Sequence, residues 1–154
     1  MTSADPFSDL AAALSGELGS TETAGVRIDA SRRHRTGAPE VIYGKGKSAE
    51  QISVAIRRLI AVEGRALAAR IDADQAATVE FALGSEPIEL DFDPVGRTLL
   101  AQAPGSRPPS TGGRVGLISA GSSDRPQLSE AAAILFEMGC ETQSVHDVGV
   151  AGLH

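Results

Sequence analysis

The sequence predicts an α/β protein in which a small α+β N-terminal module precedes the start of a doubly wound parallel sheet, a three-layer αβα arrangement. Hydrophobic residues make up 42% of the 154 residues and aromatic residues only 3%, which favours an aliphatic core of buried strands packed on helices. Residues 103–113 have no apolar period and consist mostly of Pro, Gly and Ser. We therefore predict a module at 1–102, a linker at 103–113 and an incomplete second domain at 114–154.

The N-terminal module begins with a predicted helix. Asp5-Pro6 is typical of a helix start, apolar residues follow at helical spacing, and Gly19 provides a stop. Residues 20–47 lack a period and are predicted to be an extended loop, with a short strand at 39–43. A capping-box pattern at Ser48 and Gln51 then predicts a second helix.

A strand, a helix and a hairpin are predicted in the rest of this module. Residues 66–69 are predicted to form a short strand, and Asp72 or Asp74 to cap a helix that runs towards Leu83. Alternating apolar residues at 88–92, a turn at 93–96 and a return at 98–100 predict a hairpin.

The second domain shows a strand, loop, helix and strand in succession. Val115–Ile118 is predicted to be a buried parallel strand, Pro126 to lie in the first turn of a helix, Gly139 to end that helix, and 142–145 to form the next strand. Two strands and one helix cannot cover both faces of a sheet. We therefore expect a piece of a longer protein with exposed apolar surface.

The charge of the chain excludes some classes of function. The net charge is −6 and the pI near 5.0, which argues against nonspecific nucleic-acid binding. The sequence has neither a transmembrane run nor a signal peptide, so we expect a cytoplasmic protein without a membrane partner. A single cysteine, Cys140, excludes an internal disulfide framework.

Cations are concentrated in one stretch of this acidic chain. Six of the fourteen Lys and Arg residues fall between Arg27 and Lys47. They could face an anionic ligand, or form a solvated face or a subunit contact. Gly46-Lys47-Ser48 is not a phosphate-binding P-loop, because Val41 stands where that motif needs a glycine.

The loop that follows the strand at 115–118 carries the clearest candidate chemistry. In open α/β folds, ligands bind beyond the carboxyl ends of the strands. Small residues at Gly121, Ser122 and Ser123 allow backbone amides to approach a phosphate at a helix N-terminus, and Asp124 could cap the helix or bind a ribose or ring group. The pattern is not the dinucleotide fingerprint, since Gly121 lacks the accompanying glycines.

The histidines and the cysteine show no zinc-like spacing. His34 lies in the cationic stretch, His146 is predicted to be a surface residue at a strand end, and His154 follows a glycine-bearing loop where chemistry could occur. We predict that Cys140 is a packed or half-exposed thiol, since nothing nearby is placed to activate it.

Three stretches together resemble the LarB family: Val115–Asp124, Asp147–His154, and the pattern Asp29-x-x-Arg32-x-x-Arg35-x-Gly37-x-Pro39-Glu40-Val41-Ile42-Tyr43-Gly44-x-Gly46-Lys47. The resemblance covers roughly residues 26–154. It implies a family-specific N-terminal domain joined to a domain similar to PurE, the aminoimidazole ribonucleotide carboxylase.

The resemblance implies the first step of nickel-pincer cofactor biosynthesis. Such an enzyme carboxylates the pyridinium ring of nicotinic acid adenine dinucleotide, with CO₂ or bicarbonate as co-substrate, and hydrolyses the phosphoanhydride to release AMP. The implied catalytic residues are Ser123, Asp124 and His154. The implied substrate-binding residues are Gly121, Ser122, Gly149, Gly152, Arg32, Arg35 and Glu40. For Arg32, Arg35 and Glu40, which belong to the N-terminal pattern, a role at the interface between the domains is equally open.

The resemblance also implies a catalytic cysteine and an oligomeric state that cannot be read from the residues of this chain. The family's catalytic cysteine, whose thiolate adds to the pyridinium ring, lies further downstream, so we expect this chain to be inactive alone. An octamer is implied, no cofactor can be read from the residues, and Mg²⁺ is left open. The alternatives are a purine-biosynthetic carboxylase or mutase of the PurE class, and a noncatalytic nucleotide-binding regulator.

Overall fold

The computed structural model describes residues 26–149, which form two β-sheets with a helix between them. The first sheet has four strands: β1 (Val41–Tyr43), β2 (Arg65–Ala69), β3 (Glu89–Asp93) and β4 (Thr98–Gln102). Their order is β1-β2-β4-β3; β1 and β2 are parallel, and the remaining pairs are antiparallel. The second sheet pairs β5 (Arg114–Ile118) with β6 (Glu141–Val145) in parallel. The predicted α/β class is confirmed.

After a short helix α1 (Arg32–Thr36), helices α2 (Ala49–Glu63) and α3 (Ala73–Leu83) cover one face of the four-stranded sheet. Both begin at a complete capping box, at Ser48 with Gln51 and at Asp72 with Gln75. Their fully buried aliphatic side chains pack with those that the strands present to this face. That core comprises, among others, Ile42, Ile52, Ile56, Leu59, Ala66, Ala68, Val79, Leu83, Leu99 and Ala101.

The opposite face of the same sheet receives α4 (Arg125–Glu137). Alternation along the strands places Leu67 and Leu100, which are directly paired, on this face. The other side of α4 packs on β5 and β6, where Leu128 is buried. Helix α4 therefore lies between the two sheets and is shared by both.

The connections at the two ends of α4 are tight. A 3₁₀ turn, Ser122–Asp124, leads into the helix, and Pro126 lies in its first turn as predicted. Gly139 follows the C-cap with φ +77°, and a Cβ there would lie 1.9 Å from the Pro109 carbonyl oxygen. Glycine is therefore required where the segment 103–113 passes the end of α4.

The prediction of an extended loop over residues 20–47 was wrong in part. Arg32–Thr36 forms a short helix, α1, ended by Gly37 in the left-handed conformation, with its amide donating to the Arg33 carbonyl at 2.8 Å. A five-residue helix is too short to show an apolar period, so the pattern could not reveal it. The short strand predicted at 39–43 is confirmed as β1.

The prediction that Val115–Ile118 is a buried strand was also wrong for one of its faces. Val115 and Leu117 are half-buried beneath α4, whereas Ile118 is 71% exposed. On β6, Val145 is 45% exposed on the same outer face. Among residues 26–149, α4 covers one side of this sheet and no element covers the other, so the expected exposed apolar surface is present there.

The remaining predictions about helices, strands and domain boundaries have three different outcomes. The strands, the hairpin and the helices predicted between residues 48 and 145 are confirmed. The predicted helix near Asp5 lies outside the described residues. The domain boundaries at 102 and 114 stay a prediction. Within the described part of the chain, no helix is both long and apolar enough to cross a membrane.

Candidate active site

Two loops meet at the carboxyl ends of β5 and β6. The Ser119 amide donates to the Val145 carbonyl at 3.1 Å, and the Val148 amide donates to the Ser119 carbonyl at 3.0 Å. Gly149 approaches so closely that a Cβ there would lie 2.4 Å from the Ala120 carbonyl oxygen. The parallel pairing thus brings the predicted loop around Gly121 and the predicted segment around Gly149 into contact.

The loop itself is open to solvent. Ser122, Ser123 and Asp124 are exposed, and the Asp124 amide closes the 3₁₀ turn by donating to the Gly121 carbonyl at 3.3 Å. Asp124 holds the N-cap position of α4, but its side chain makes no capping hydrogen bond; it accepts one from the Ser123 hydroxyl at 3.3 Å. The Asp124 side chain was predicted either to cap the helix or to bind a ligand. It makes no capping hydrogen bond, and its oxygens face solvent.

Two features of this loop have no explanation in the described residues. Ser119 is 3% exposed, and its hydroxyl has no hydrogen-bond partner there. Gly121 is in an extended conformation, and a Cβ added to it would meet only the Ser123 hydroxyl, at 3.9 Å. Neither steric crowding nor backbone conformation requires glycine at 121, whereas the close approach of a ligand would.

Arg32, Arg35 and Glu40 form local ion pairs beside α1. Arg35 pairs with Asp29 at 2.6 Å, and Arg32 lies 3.8 Å from the Glu40 carboxylate. The hydrogen bond from Arg35 lowers the pKa of the Asp29 carboxyl, whereas burial raises the pKa of Glu40. Their pairing accounts for these residues without a ligand, and a substrate-binding role for them stays a prediction.

Arg33, which lies between these residues in sequence, connects α1 to α4. Its guanidinium donates to the Glu63 carboxylate at 2.7 Å and to the Glu137 carbonyl at 2.8 Å. Glu137 is the last residue of α4, whereas Ser122–Asp124 precede its first residue, and thirteen helical residues span about 20 Å. Within one chain, the cationic stretch that contains Arg33 and the candidate loop Gly121–Asp124 therefore lie at opposite ends of α4.

Sequence reasoning missed the strongest polar contact between the two halves. Arg65 and Glu137 are 3% and 2% exposed and pair at 2.6 Å. Arg65 also donates to the Gln102 side chain and to the Ser106 carbonyl, both at 2.7 Å. The partners are separated by 72 positions, so no local pattern could reveal them. The sequence shows only that each of the two is a charged residue at the end of an apolar element, Arg65 at the start of β2 and Glu137 at the end of α4.

The other candidate residues do not converge on this loop. Cys140 precedes β6, with its sulfur 3.6 Å from the Thr111 hydroxyl, and is separated from the loops at 119–124 and 147–149 by the length of that strand. Gly152 and His154 lie outside the described residues. Among residues 26–149, no group of three or more His, Cys, Asp or Glu could hold a metal ion. The expectation about Mg²⁺ stays open.

The N-terminal half of the chain matches a known family model. Residues 20–103 match the family described as the LarB/PurE-like N-terminal domain, which is more than half of the chain. This chain belongs to the LarB family. The match includes α1 with its cationic motif, the whole four-stranded sheet, and both Arg33 and Arg65.

A curated relative extends the similarity beyond this match. An uncharacterized protein of Methanocaldococcus jannaschii is 34% identical over 130 residues, which cover 84% of this chain and 50% of the relative. The chain thus spans about half the length of the curated relative that it matches. In this LarB family member, the family-specific half docks through Arg33 and Arg65 on the helix that begins at the candidate loop.

Proposed function

We propose that the protein containing this chain acts in nickel-pincer cofactor biosynthesis. In this proposal it carboxylates the pyridinium ring of nicotinic acid adenine dinucleotide, with CO₂ or bicarbonate as co-substrate, and hydrolyses the phosphoanhydride. A carbon–carbon bond forms as the ring loses a proton, and water cleaves the bond between the two phosphates. The products are AMP and pyridinium-3,5-biscarboxylic acid mononucleotide.

The observation that carries this proposal is the contact between the Gly121 loop and the Gly149 segment. It lies at the carboxyl ends of two parallel strands, in a chain whose other half is a LarB N-terminal domain. A helix N-terminus attracts anions through its free amides and its dipole, and α4 begins at this contact. A dinucleotide supplies phosphates suited to such a position.

The residues of the loop have roles that follow from their chemistry. The hydroxyls of Ser122 and Ser123 are exposed and can donate to phosphate or carboxylate oxygens. Asp124, free of a capping bond, can accept a hydrogen bond from a hydroxyl or hold a proton near the reacting ring. Proton transfer by His154 remains part of the proposal, as does assembly into a homo-octamer.

The test is an assay of the full-length protein with nicotinic acid adenine dinucleotide and ¹³C-labelled bicarbonate. We expect one labelled carboxyl group in the mononucleotide product and one AMP per turnover, measured by mass spectrometry. A parallel reaction receives aminoimidazole ribonucleotide. Turnover of that substrate alone would establish the purine-biosynthetic alternative, and binding of the dinucleotide without turnover would favour a noncatalytic regulator.

A further inference from the structure

A cavity of about 260 Å³ lies between the turn that joins β3 to β4, the first half of α4 and the end of β6. Ser144 and the following alternate residue, His146, point to the face on which α4 packs, because Leu117, the register partner of Ser144, is half-buried beneath that helix. Both sheets therefore contribute to this space. We call it the inter-sheet cavity, and its polar lining residues are Asp93, Arg125, Ser129, Ser144 and His146.

Three ionisable side chains line the inter-sheet cavity, one from each element packed around it. Asp93 belongs to β3, Arg125 to the first turn of α4, and His146 follows β6. Burial alone would raise the pKa of Asp93, but hydrogen bonds from the Ser129 hydroxyl and from two backbone amides outweigh burial and lower it. Asp93 is therefore a carboxylate at neutral and mildly acidic pH.

The donors of the inter-sheet cavity have no acceptors of their own. Among residues 26–149, no group forms a hydrogen bond or an ion pair with the Arg125 guanidinium, the His146 ring or the Ser144 hydroxyl. All three side chains are exposed, so a ligand can reach them. Guanidinium, imidazolium and hydroxyl groups all donate hydrogen bonds, and the charged donors bind anionic oxygens most strongly. This set of donors therefore suits an oxyanion.

The charge of the inter-sheet cavity depends on the protonation of His146. While the imidazole is neutral, the charges of Arg125 and Asp93 cancel. Protonation adds one positive charge and makes both ring nitrogens donors. Histidine is the side chain that changes its charge between pH 5 and 8. An anion should therefore bind weakly at the upper end of this range and more tightly at the lower end.

We propose that the inter-sheet cavity binds an oxyanion, a phosphate or sulfate group, through Arg125, Ser144 and protonated His146. An adjoining cavity of about 400 Å³ shares Asp93, Ser129 and Ala132 with it and is partly lined by apolar side chains such as Leu100 and Phe136. The oxyanion is either free or carried by an organic molecule that extends into this second space. The site does not include the Gly121 loop, so it does not rest on the proposed function.

The test is calorimetric titration of the full-length protein with sodium sulfate at constant ionic strength, because sulfate keeps its charge over this pH range. We expect the wild type to bind sulfate about tenfold more tightly at pH 5.5 than at pH 8, the usual gain from a hydrogen bond to a charged group. His146→Gln should remove this pH dependence. Arg125→Gln should weaken binding about tenfold at both pH values.

The matched controls are two exposed residues of the same types that lie away from the inter-sheet cavity. His34 belongs to α1, and Arg107 lies beside Phe136 at the other end of α4. His34→Gln and Arg107→Gln should bind sulfate as the wild type does. Urea unfolding of all four variants checks their folding, and it should be unchanged because Arg125 and His146 have no polar partner among the described residues.

Phenyl sulfate distinguishes the two sources of the oxyanion. Tighter binding of phenyl sulfate than of sulfate at pH 5.5 would assign the site to an organic ligand that reaches the adjoining cavity. Binding that is equal or weaker would assign it to a free anion. Either result supports the site if Arg125→Gln weakens the binding of both probes.

Three outcomes would overturn the inference. The first is that the wild-type protein does not bind sulfate at pH 5.5, and the second is that His146→Gln keeps the pH dependence. The third is that Ser123→Ala weakens sulfate binding while Arg125→Gln does not, which would place the anion at the candidate loop instead.

Discussion

Three glycines, Gly121, Gly139 and Gly149, resemble one another in the sequence but have different surroundings. A Cβ at Gly139 or Gly149 would overlap a backbone carbonyl oxygen, at 1.9 and 2.4 Å respectively. At Gly121 the same atom would make only ordinary van der Waals contact with the Ser123 hydroxyl, at 3.9 Å, in an extended conformation that any residue adopts. The first two glycines therefore maintain the packing of the chain, and the third is free to serve a ligand.

Gly121→Ala is accordingly expected to leave the free energy of unfolding unchanged or slightly higher, because alanine restricts the unfolded chain. The added methyl group would occupy the approach to the loop and weaken dinucleotide binding. Urea unfolding and calorimetric titration with nicotinic acid adenine dinucleotide measure the two effects. Gly139→Ala is the contrasting variant and should destabilise the protein strongly. Unchanged dinucleotide affinity in Gly121→Ala would remove the loop from the binding site.

Asp93 shows how one carboxylate couples the sheet to α4. Burial alone would raise its pKa, but the hydrogen bonds from the Ser129 hydroxyl and from the Val95 and Gly96 amides outweigh burial and lower the pKa. A carboxyl group whose pKa is lower in the folded state stabilises the protein above the unfolded value, here 3.8, and this contribution is lost as the pH falls through the folded value.

Ser129→Ala should therefore destabilise the protein by about 1–3 kcal/mol at pH 7, the usual cost of losing a hydrogen bond to a charged group. The difference from the wild type should shrink as the pH falls below 3.8 and vanish once the pH passes the lowered pKa of Asp93 in the folded wild type, because the carboxyl is then protonated in both proteins. Urea unfolding at a series of pH values from 7 downwards measures this, with Ser85→Ala on an exposed loop as the control. A difference that stays constant with pH would mean that the Ser129 hydroxyl acts through packing rather than through Asp93.

At the scale of elements, two ion pairs join α4 to β2 and to the residue that follows it. Arg65, the first residue of β2, binds Glu137 in a buried position, and Arg70, just after β2, binds Glu130 in the middle of α4 at 2.8 Å in a half-exposed position. The helix and the strand run in opposite directions, since the earlier residue of β2 meets the later residue of α4. A buried ion pair is expensive to break singly, because the remaining charge has no water to solvate it.

Glu137→Leu should lower the free energy of unfolding by about 3–5 kcal/mol, as single losses from buried pairs do. Arg65→Met should lower it by less, because the Glu137 carboxylate still lies 3.7 Å from the Arg33 guanidinium. The double variant should lose less than Glu137→Leu alone, because Arg65 is then no longer left buried without a counter-ion. Arg114→Met is the matched control, since Arg114 and Glu141 pair while 82% and 80% exposed. Single variants no more destabilising than Arg114→Met would show that the buried pair does not hold the two sheets together.

The elements that were predicted correctly are those specified by neighbouring residues. Ser48 with Gln51 specifies the start of α2 within four positions, and Asp93–Gly96 specifies the turn between β3 and β4. The site was predictable only where it follows a strand, at Gly121–Asp124 and Gly149. Its remaining features depend on distant partners. The burial of Arg65 and the hydrogen bond from Ser129 to Asp93 both require α4 to be placed on the four-stranded sheet, which no local spacing encodes.

At the scale of the whole molecule, the described residues 26–149 cover the sheet of β5 and β6 on one face, by α4, and Ile118 and Val145 are exposed on the other. The four-stranded sheet, in contrast, has helices on both faces. The family-specific half is thus the more completely buried of the two. It also supplies the surface on which the helix of the second half rests.

Residues 103–113, predicted from their composition to be a linker, make hydrogen bonds to both halves of the chain. The Ser106 carbonyl accepts a hydrogen bond from Arg65, and the Thr111 amide donates to the Gly139 carbonyl, so both ends of this segment are fastened. Cutting the backbone there would not release two independent domains, because separating them would expose Arg65 and Glu137 without each other. A nicked molecule would remain one particle, and a recombinant piece that ends at residue 102 would lack the counter-ion of its own β2 strand.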